Sequence, residues 1–472
     1  MTQSLIIKKL VPGFLMLLLV SSCVVGKKYK QPALDLPEKY RTELQLTADT
    51  IQLPWRTFFK DKQLITLIGN ALQKNNEIAV ALKSVEQLDL AFKQAKLEWL
   101  PTLELSGSAN RTWQSKNSMN GSLMGQFVST PYIDDYTSGL RLNWEMDIWG
   151  KTAMMKAATR ADYFAQRENV SALKTRIIVQ VAQAYYNLIA LDEQIKIARS
   201  NIELSDRTLQ IMRLQYEAGQ INSLAVQQAE AQKKTAEMLL PLAMQQIAVQ
   251  ENALSIICGS YPDSIARAES LKKAIPEDLT TTGVPAALLS RRPDVKAAEY
   301  AVMVSNAKAG LANAAMYPSL SLTPQIGTNA MQFKDWFDLP GSFTKNIAAN
   351  LTQPLFQKKM LRTTYKTALI EQEKAAIQFK QTVLQAVGEV SDAMARSKGA
   401  SQRLLLAEEK GIALNKATND AMKLYANGMA NYLEVITAQN NKLQNDLETI
   451  TIHLEKYNAI TDLYRALGGG VE

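Results

Sequence analysis

The chain has a single histidine, His453, and two widely separated cysteines, Cys23 and Cys258, among 472 residues. So few nitrogen and sulfur donors cannot assemble a zinc site or a Cys/His nucleophile pair, which excludes most metal and thiol enzymes. No Ser/Gly/Pro-rich linker divides the sequence, so one long repeated architecture fits its length better than a string of domains. The 53 basic and 45 acidic residues leave a formal charge of +8, but the charges are interspersed and leave no nucleic-acid footprint. Beyond Cys23 there is no run of about 18 apolar residues, the length that would mark a membrane-spanning helix. A phosphate-cradling loop is missing too, because Gly468 to Gly470 follow the last helical pattern instead of opening a helix.

What is present is the composition of a folded protein, 47% hydrophobic and 21% charged. Lys8-Lys9 precede the apolar run Leu10 to Val20, and Ser21-Ser22 lead into Cys23. This pattern predicts a secretory signal over 1–22 that ends in a lipobox, with Cys23 as the lipidated first residue of the mature protein. Val24 in place of Asp means that the usual inner-membrane retention signal is lacking. Cys258, in an apolar run before Gly259, reads as a small core residue.

Trp99-Leu100-Pro101-Thr102-Leu103-Glu104 returns as Met316-Tyr317-Pro318-Ser319-Leu320-Ser321, and Tyr216-Glu217-Ala218-Gly219 returns as Tyr425-Ala426-Asn427-Gly428. The chain therefore reads as two copies of a unit of about 210 residues. The expected organisation is a lipidated extended segment 23–60, a first repeat 61–260 with a β-hairpin at 102–148, and a connector 261–284. A second repeat, 285–467, follows with a hairpin at 319–356, then a tail 468–472. The copies differ in length by about eight residues, a difference assigned to the polar loop near 115–135.

Within each copy the pattern is helix, strand, loop, strand, very long helix, turn, helix. Leu64, Ala71, Ile78, Val85, Phe92 and Trp99 recur at seven-residue steps and predict one coiled-coil seam up to Pro101. Leu103, Leu105, Gly107 and Ala109 then alternate with Glu104, Ser106, Ser108 and Asn110. A partner strand from about Tyr136 to Ile148 carries Leu140, Leu142, Trp144 and Met146 on one face. Strands of 10 to 13 residues with one apolar face match the roughly 9 to 11 residues of a tilted transmembrane strand. Trp113, Tyr132, Tyr136, Trp144 and Trp149 fall near strand ends, as an interfacial aromatic belt would. Four strands cannot close a barrel, since the known minimum is about eight, so subunits must share one. Two, three or four chains all give even strand numbers, and the arithmetic does not choose between them.

Proline-free helices are predicted over about Thr152 to Tyr216 and Met360 to Tyr425, roughly 100 Å each. Each ends at a Tyr-x-x-Gly whose glycine lets the chain reverse into a shorter helix, about Ser223 to Ile257 and Tyr432 to Leu467. Helices this long must pack as a bundle or as the wall of a tube.

The lipobox, Trp55-Arg56-Thr57-Phe58-Phe59, Trp144 to Gly150, Arg291-Arg292-Pro293-Asp294-Val295, Tyr317-Pro318-Ser319, Asn431 to Val435 and Leu467 to Gly470 carry a family resemblance. The chain resembles the TolC-like outer-membrane factors of RND-type tripartite efflux systems, in the OprM/NodT/CusC-like lipoprotein branch, over essentially its whole mature length. The resemblance implies a mixed fold, an all-α tunnel plus a transmembrane β-barrel. The fold class is thus a TolC-like homotrimer with four strands per chain in a 12-stranded barrel and long coiled-coil periplasmic helices. It also implies two partners, a periplasmic adaptor (membrane fusion) protein and an inner-membrane RND transporter, with the barrel set in outer-membrane lipid. The adaptor would dock on the turns at Tyr216, Gly219, Tyr425 and Gly428. Glu434 matches a family acidic ring near the closed periplasmic end, although by itself it reads as a solvated glutamate on a helix surface. Ala430 and Thr437 stand where several relatives carry acidic residues.

No catalytic residue, metal site or cofactor is expected other than the lipid on Cys23. Met154-Met155 read as packing, His453 as a packed or surface residue, and Glu389 with Asp392 as a helix-face pair without a catalytic partner. The competing readings are a structural coiled-coil envelope lipoprotein, a periplasmic enzyme or binding protein with a helical lid, and a duct for type I protein secretion.

Overall fold

The computed structural model describes residues 25–26, 29–32, 54–115, 117–119, 130, 132–271 and 292–470. Its elements run α1 (Trp55–Phe58), α2 (Lys62–Lys74), α3 (Asn76–Ala95), β1 (Thr102–Trp113), β2 (Tyr132–Met146), α4 (Lys151–Glu217) and α5 (Ser223–Ile257). The second half repeats them as α6 (Pro293–Ala314), β3 (Ser319–Ala330), β4 (Phe343–Thr352), α7 (Met360–Ala426) and α8 (Tyr432–Ala466). Two compact units result, and each draws on both halves of the sequence. One holds the described residues before Ala33 with Gln87–Tyr163 and Tyr300–Ala376; the other holds Ala33–Glu86, Phe164–Glu299 and Ile377–Glu472, as far as these are described.

The first unit is built on a four-stranded antiparallel sheet in the order β1-β2-β3-β4. Leu103 lies opposite Leu142, Leu105 opposite Leu140, Leu140 opposite Ile326, Met146 opposite Leu320, and Leu320 opposite Leu351. Because strand side chains alternate, this register collects the apolar residues of all four strands on one face and Glu104, Ser106, Arg141, Asn143, Ser321, Gln325 and Asn350 on the other. β2 begins at Tyr132 and ends at Met146, four residues earlier at the start than alternation alone indicated and two earlier at the end. The extra turn of register comes from pairing: Tyr132 faces Trp113 and Asp134 faces Arg111 across the ladder. β4 is also shorter than β2, 10 residues against 15, so the length difference between the repeats is spread over strand and loop.

In the second unit the core gathers Trp55 and Phe58 of α1 and the adjoining Phe59 with Tyr185 and Tyr186 of α4 and Tyr457 and Tyr464 of α8. Phe58 stacks on Tyr464 with ring centroids 4.4 Å apart. Burying each such ring contributes about 1.5–3 kcal/mol, which explains why the Trp55 to Phe59 motif anchors this short helix. The glycine-rich end of the last repeat fits the same core. A Cβ on Gly469 would lie 2.3 Å from the Tyr464 ring, and the Tyr464 hydroxyl donates to the Gly470 carbonyl at 2.8 Å.

The expected single seam from Leu64 to Trp99 is broken. Helix α2 stops at Lys74 and α3 starts at Asn76, because Asn75 turns the backbone to an extended ψ of 125°. Its side-chain amide donates to the Ile257 carbonyl (2.8 Å), and its oxygen accepts from the Ile78 N–H (3.2 Å). The Asn thus offers the backbone an alternative to the helix that a hydrophobic repeat does not reveal. Leu64, Ala71 and Ile78 are buried as the seam requires, whereas α3 ends at Ala95 and Trp99 lies beyond it, largely exposed.

Candidate functional site

Among the described residues no helix is long and apolar enough to cross a membrane. The surface suited to lipid is instead the apolar face of the sheet, where Leu105, Ile347 and Leu351 are 71–80% exposed. Aromatic residues cluster at both ends of that sheet. At one end the Trp144 indole donates to the Trp99 carbonyl (3.0 Å), and Trp149 donates to Pro318 (2.6 Å) and packs on Tyr317. At the other, Trp113 packs near Tyr132, and Tyr136 meets Phe333 and Trp336.

The polar face has its own signature. Gly139 and Gly327 face each other across β2 and β3, and an added Cβ would sit 2.6 Å from the Ile326 carbonyl or 2.0 Å from that of Ser138. The two backbones are closer on this side than side chains allow, so only glycine fits at either position. Among the described residues both edge strands are open: β1 has no neighbour beyond β2 and β4 none beyond β3, and both are exposed almost throughout.

The helices α4 and α7 each run 67 residues, roughly 100 Å of continuous helix. Gly219 and Gly428 end them at φ of +71° and +72°. Each helix closes with the same pair of bonds: Gln220 N–H to Gln215 (2.8 Å) with Gly219 N–H to Tyr216, and Met429 N–H to Leu424 (2.8 Å) with Gly428 N–H to Tyr425. This is the glycine-terminated cap that satisfies the last carbonyls of a helix. Asn222 and Asn431 then cap α5 and α8 through their side-chain oxygens, worth about 1 kcal/mol each. Sequence reasoning identified these turns but not their asymmetry. Tyr425 is buried with Leu209, Met212, Ala229 and Val435, and its hydroxyl meets the Gln215 side chain, while Tyr216 is 48% exposed. Tyr-x-x-Gly looks the same in both copies; only packing tells the two tyrosines apart.

Glu434 is exposed in the first turn of α8. Its N–H donates to Asn431 Oδ1 (3.1 Å), and its carboxylate accepts from Asn431 Nδ2 (3.2 Å). A capping interaction therefore orients the side chain at a helix N-terminus. Cys23, the lipidation candidate, lies outside the described residues. Cys258 is buried, with its thiol pushed up to about 11 by burial, and its Sγ lies 3.7 Å from the Leu67 carbonyl. No cluster of three or more His, Cys, Asp or Glu that could hold a metal occurs among the described residues.

The Arg-Pro-Asp motif has a local role that spacing did not reveal. Arg292, 4% exposed, grips Asp294 with two bonds (3.0 and 2.6 Å), reaches Glu389 at 2.8 Å and donates to the Ala466 carbonyl at 3.1 Å. Glu389, read from sequence as lacking a catalytic partner, serves as a structural counter-ion to Arg292 and, at 3.5 Å, to Arg465. A cavity of about 310 Å³ beside this cluster is lined by Arg176, Arg292, Asp294 and Arg465, and the acids already satisfy its buried arginine.

Comparison with known proteins places these features in context. Residues 67–260 and 284–469 match the family model described as outer membrane efflux protein. The chain is 27% identical over 467 residues, 98% of both chains, to the cation efflux system protein CusC of Escherichia coli O6:H1 (strain CFT073). It is 27% identical over 462 residues, 96% of both chains, to the probable outer membrane lipoprotein SilC of Salmonella typhimurium. A crystal structure of CusC, from a study of its folding and transmembrane channel formation, superposes with a TM-score of 0.83 at 25% identity, covering 95% of this chain and all of that one.

Proposed function

Since the chain belongs to the outer membrane efflux protein family, we propose that it is the outer-membrane exit duct of a tripartite efflux pump and conducts passively what an inner-membrane RND transporter and a periplasmic adaptor deliver. The observation that carries this reading is the sheet: four strands, an exposed apolar face with aromatic residues at both ends, a pair of glycines in close backbone approach on the polar face, and two edges left unpaired among the described residues. Backbone groups facing lipid must be satisfied, so β4 of one chain pairs with β1 of the next and closes a barrel with its polar face inward. A homotrimer gives 12 strands, an even number with room for a water-filled lumen. The helices α4, α5, α7 and α8 supply the wall of the periplasmic tunnel.

Within that assembly the turns at Tyr216, Gly219, Tyr425 and Gly428 form the adaptor-docking end. Their glycines leave open backbone, and six turns per trimer present a pseudo-sixfold ring. Glu434 lines the constriction, where its capping by Asn431 holds the carboxylate at the turn. Cys23 carries a covalent lipid that adds an anchor to the barrel. The duct is generic and the substrate is set by the pump. CusC is named for cation efflux, but cargo does not follow from that name. A structural envelope lipoprotein would need the heptads without the two-faced hairpins, which disfavours that alternative. Native mass spectrometry of the detergent-extracted protein tests the assembly: three chains are expected, and a folded monodisperse monomer would remove the shared barrel.

A further inference from the structure

The connection between β3 and β4, residues 331–342, exposes a cluster of large apolar side chains among its polar ones. Met331, Phe333, Phe337 and Leu339 are each 63–69% exposed, a patch that an ordinary aqueous loop does not present. The loop lies against the sheet. Rings of Phe333 and Trp336 meet Tyr136 at 5.6 and 5.4 Å, and Trp336 stacks on Phe337 at 5.1 Å. Asn329 N–H donates to the Ser342 carbonyl (2.9 Å) and Ser342 N–H to Asp338 (2.8 Å), which fixes both ends.

The side on which it packs is informative. Tyr136 shares a face with Leu140, Leu142 and Trp144, so the loop folds over the apolar face and not over the polar one. Phe343, 53% exposed, continues the same surface toward Ile347 and Leu351 on β4. The same zone carries charge of both signs: Asp338 is exposed and Asp335 partly so, and two lysines stand beside them. Lys345 stands on the apolar face opposite Ile326, and Lys334 is exposed within the loop. Lysine is tolerated on a lipid-facing surface where its ammonium can reach the headgroups, so this end of the face fits an interfacial layer better than water or hydrocarbon alone.

We propose that loop 331–342 is an interfacial lipid anchor: Phe333, Phe337 and Leu339 enter the headgroup and upper acyl layer of a membrane leaflet, and Lys334 and Lys345 meet the lipid phosphates. The proposal rests on the reading of the sheet as part of a membrane barrel. Continuity of the loop with the exposed apolar face favours lipid over a neighbouring loop or a second copy as the occupant.

The full-length oligomer is reconstituted in vesicles of phosphatidylethanolamine and phosphatidylglycerol and spin-labelled at Phe337→Cys. Leu105→Cys serves as the mid-sheet reference and Gln220→Cys as the reference in water. Oxygen accessibility at position 337 should exceed that at 220 by about threefold, with nickel-chelate accessibility between the two references. A position 337 label that matches position 220, or one that excludes both reagents because protein covers it, overturns the anchor while the barrel stands. A water-like label at position 105 would overturn the barrel reading itself, and the anchor with it. For the phosphate contact, the K334Q/K345Q double variant should retain about half or less of the phosphatidylglycerol that co-purifies with the wild type. Equal retention would remove the two lysines from the proposal.

Discussion

Alanine at the helix-ending glycines should separate two costs that look alike in sequence. Gly219, Gly259 and Gly428 all have left-handed backbone, at φ of +71°, +68° and +72°, so a Cβ costs about 1 kcal/mol at each from conformation alone. Around Gly219 and Gly428 an added Cβ meets nothing within 4 Å, and the cost stops there. At Gly259 it would lie 2.2 Å from the Lys74 carbonyl oxygen and 2.7 Å from its carbon. Those are backbone atoms at the break between α2 and α3, so the end of α5 must shift. Overpacking then adds about 1–3 kcal/mol, and straining the 2.8 Å bond from Asn75 to Ile257 adds about 1 kcal/mol more. Gly259→Ala should therefore cost about 3–5 kcal/mol and Gly219→Ala or Gly428→Ala about 1 kcal/mol. Thermal unfolding of the detergent-extracted oligomers, followed by circular dichroism in one detergent, reads the ranking. Equal losses at the three positions, or larger ones at the turns, would refute the steric argument. The turns should matter in another assay: Gly428→Val keeps the oligomer assembled but lowers efflux and adaptor crosslinking. Efflux unaffected by valine at either turn, with crosslinks only from helix sides, would move the docking surface away from the turns.

Arg292→Met leaves Asp294 without its cation and Glu389 with only the longer contact to Arg465; because both acids are 35–40% exposed, the loss should be about 2 kcal/mol, below the range for a fully buried pair, and an unchanged melting temperature would contradict it. Burial pushes the Asp294 carboxyl up, but its bonds and charge contact with Arg292 outweigh this and hold it below the ordinary carboxylate range. A depressed acid stabilises above its unfolded value and loses that contribution as pH falls through the folded one, so stability should decline below about pH 4 and decline less in Asp294→Asn. An identical acid profile for that variant would rule out Asp294 as the group responsible. Cys23→Ser should leave a folded, channel-competent protein with impaired processing; a variant fully soluble in the periplasm would contradict barrel insertion. Glu434→Gln should weaken block by multivalent cations from the periplasmic side, and unchanged block would place the carboxylate away from the lumen.

The parts of this fold most legible in the sequence are those written as periodicity. Alternation marked both hairpins, and the long proline-free stretches marked α4 and α7 to within a residue or so at each end. Tyr-x-x-Gly marked the turns, and the left-handed glycines are present in both. What periodicity could not carry was side-chain competition with the backbone and contacts between distant segments. Asn75 breaks a seam whose apolar positions run on past it, because its amide finds the end of α5. Arg292 and Glu389 are 97 positions apart and meet only in the folded chain. The junction after β4 shows a different limit. Where β2 passes into α4 through Gly150 at φ +75°, the second copy turns on Lys358 and Lys359 at φ +49° and +65°. Two lysines hold a conformation that a sequence reader assigns to glycine, with the strain of about 1 kcal/mol or more per residue that this implies.

The proposed function requires that chains of this protein share one barrel and conduct through it. Planar-bilayer recording of the detergent-extracted, full-length oligomer tests it most directly. Discrete, uniform conductance steps, absent from preparations dissociated to monomer, are the predicted result. An intact oligomer that inserts without conducting, or a conductance that persists at full size from monomers, would contradict it.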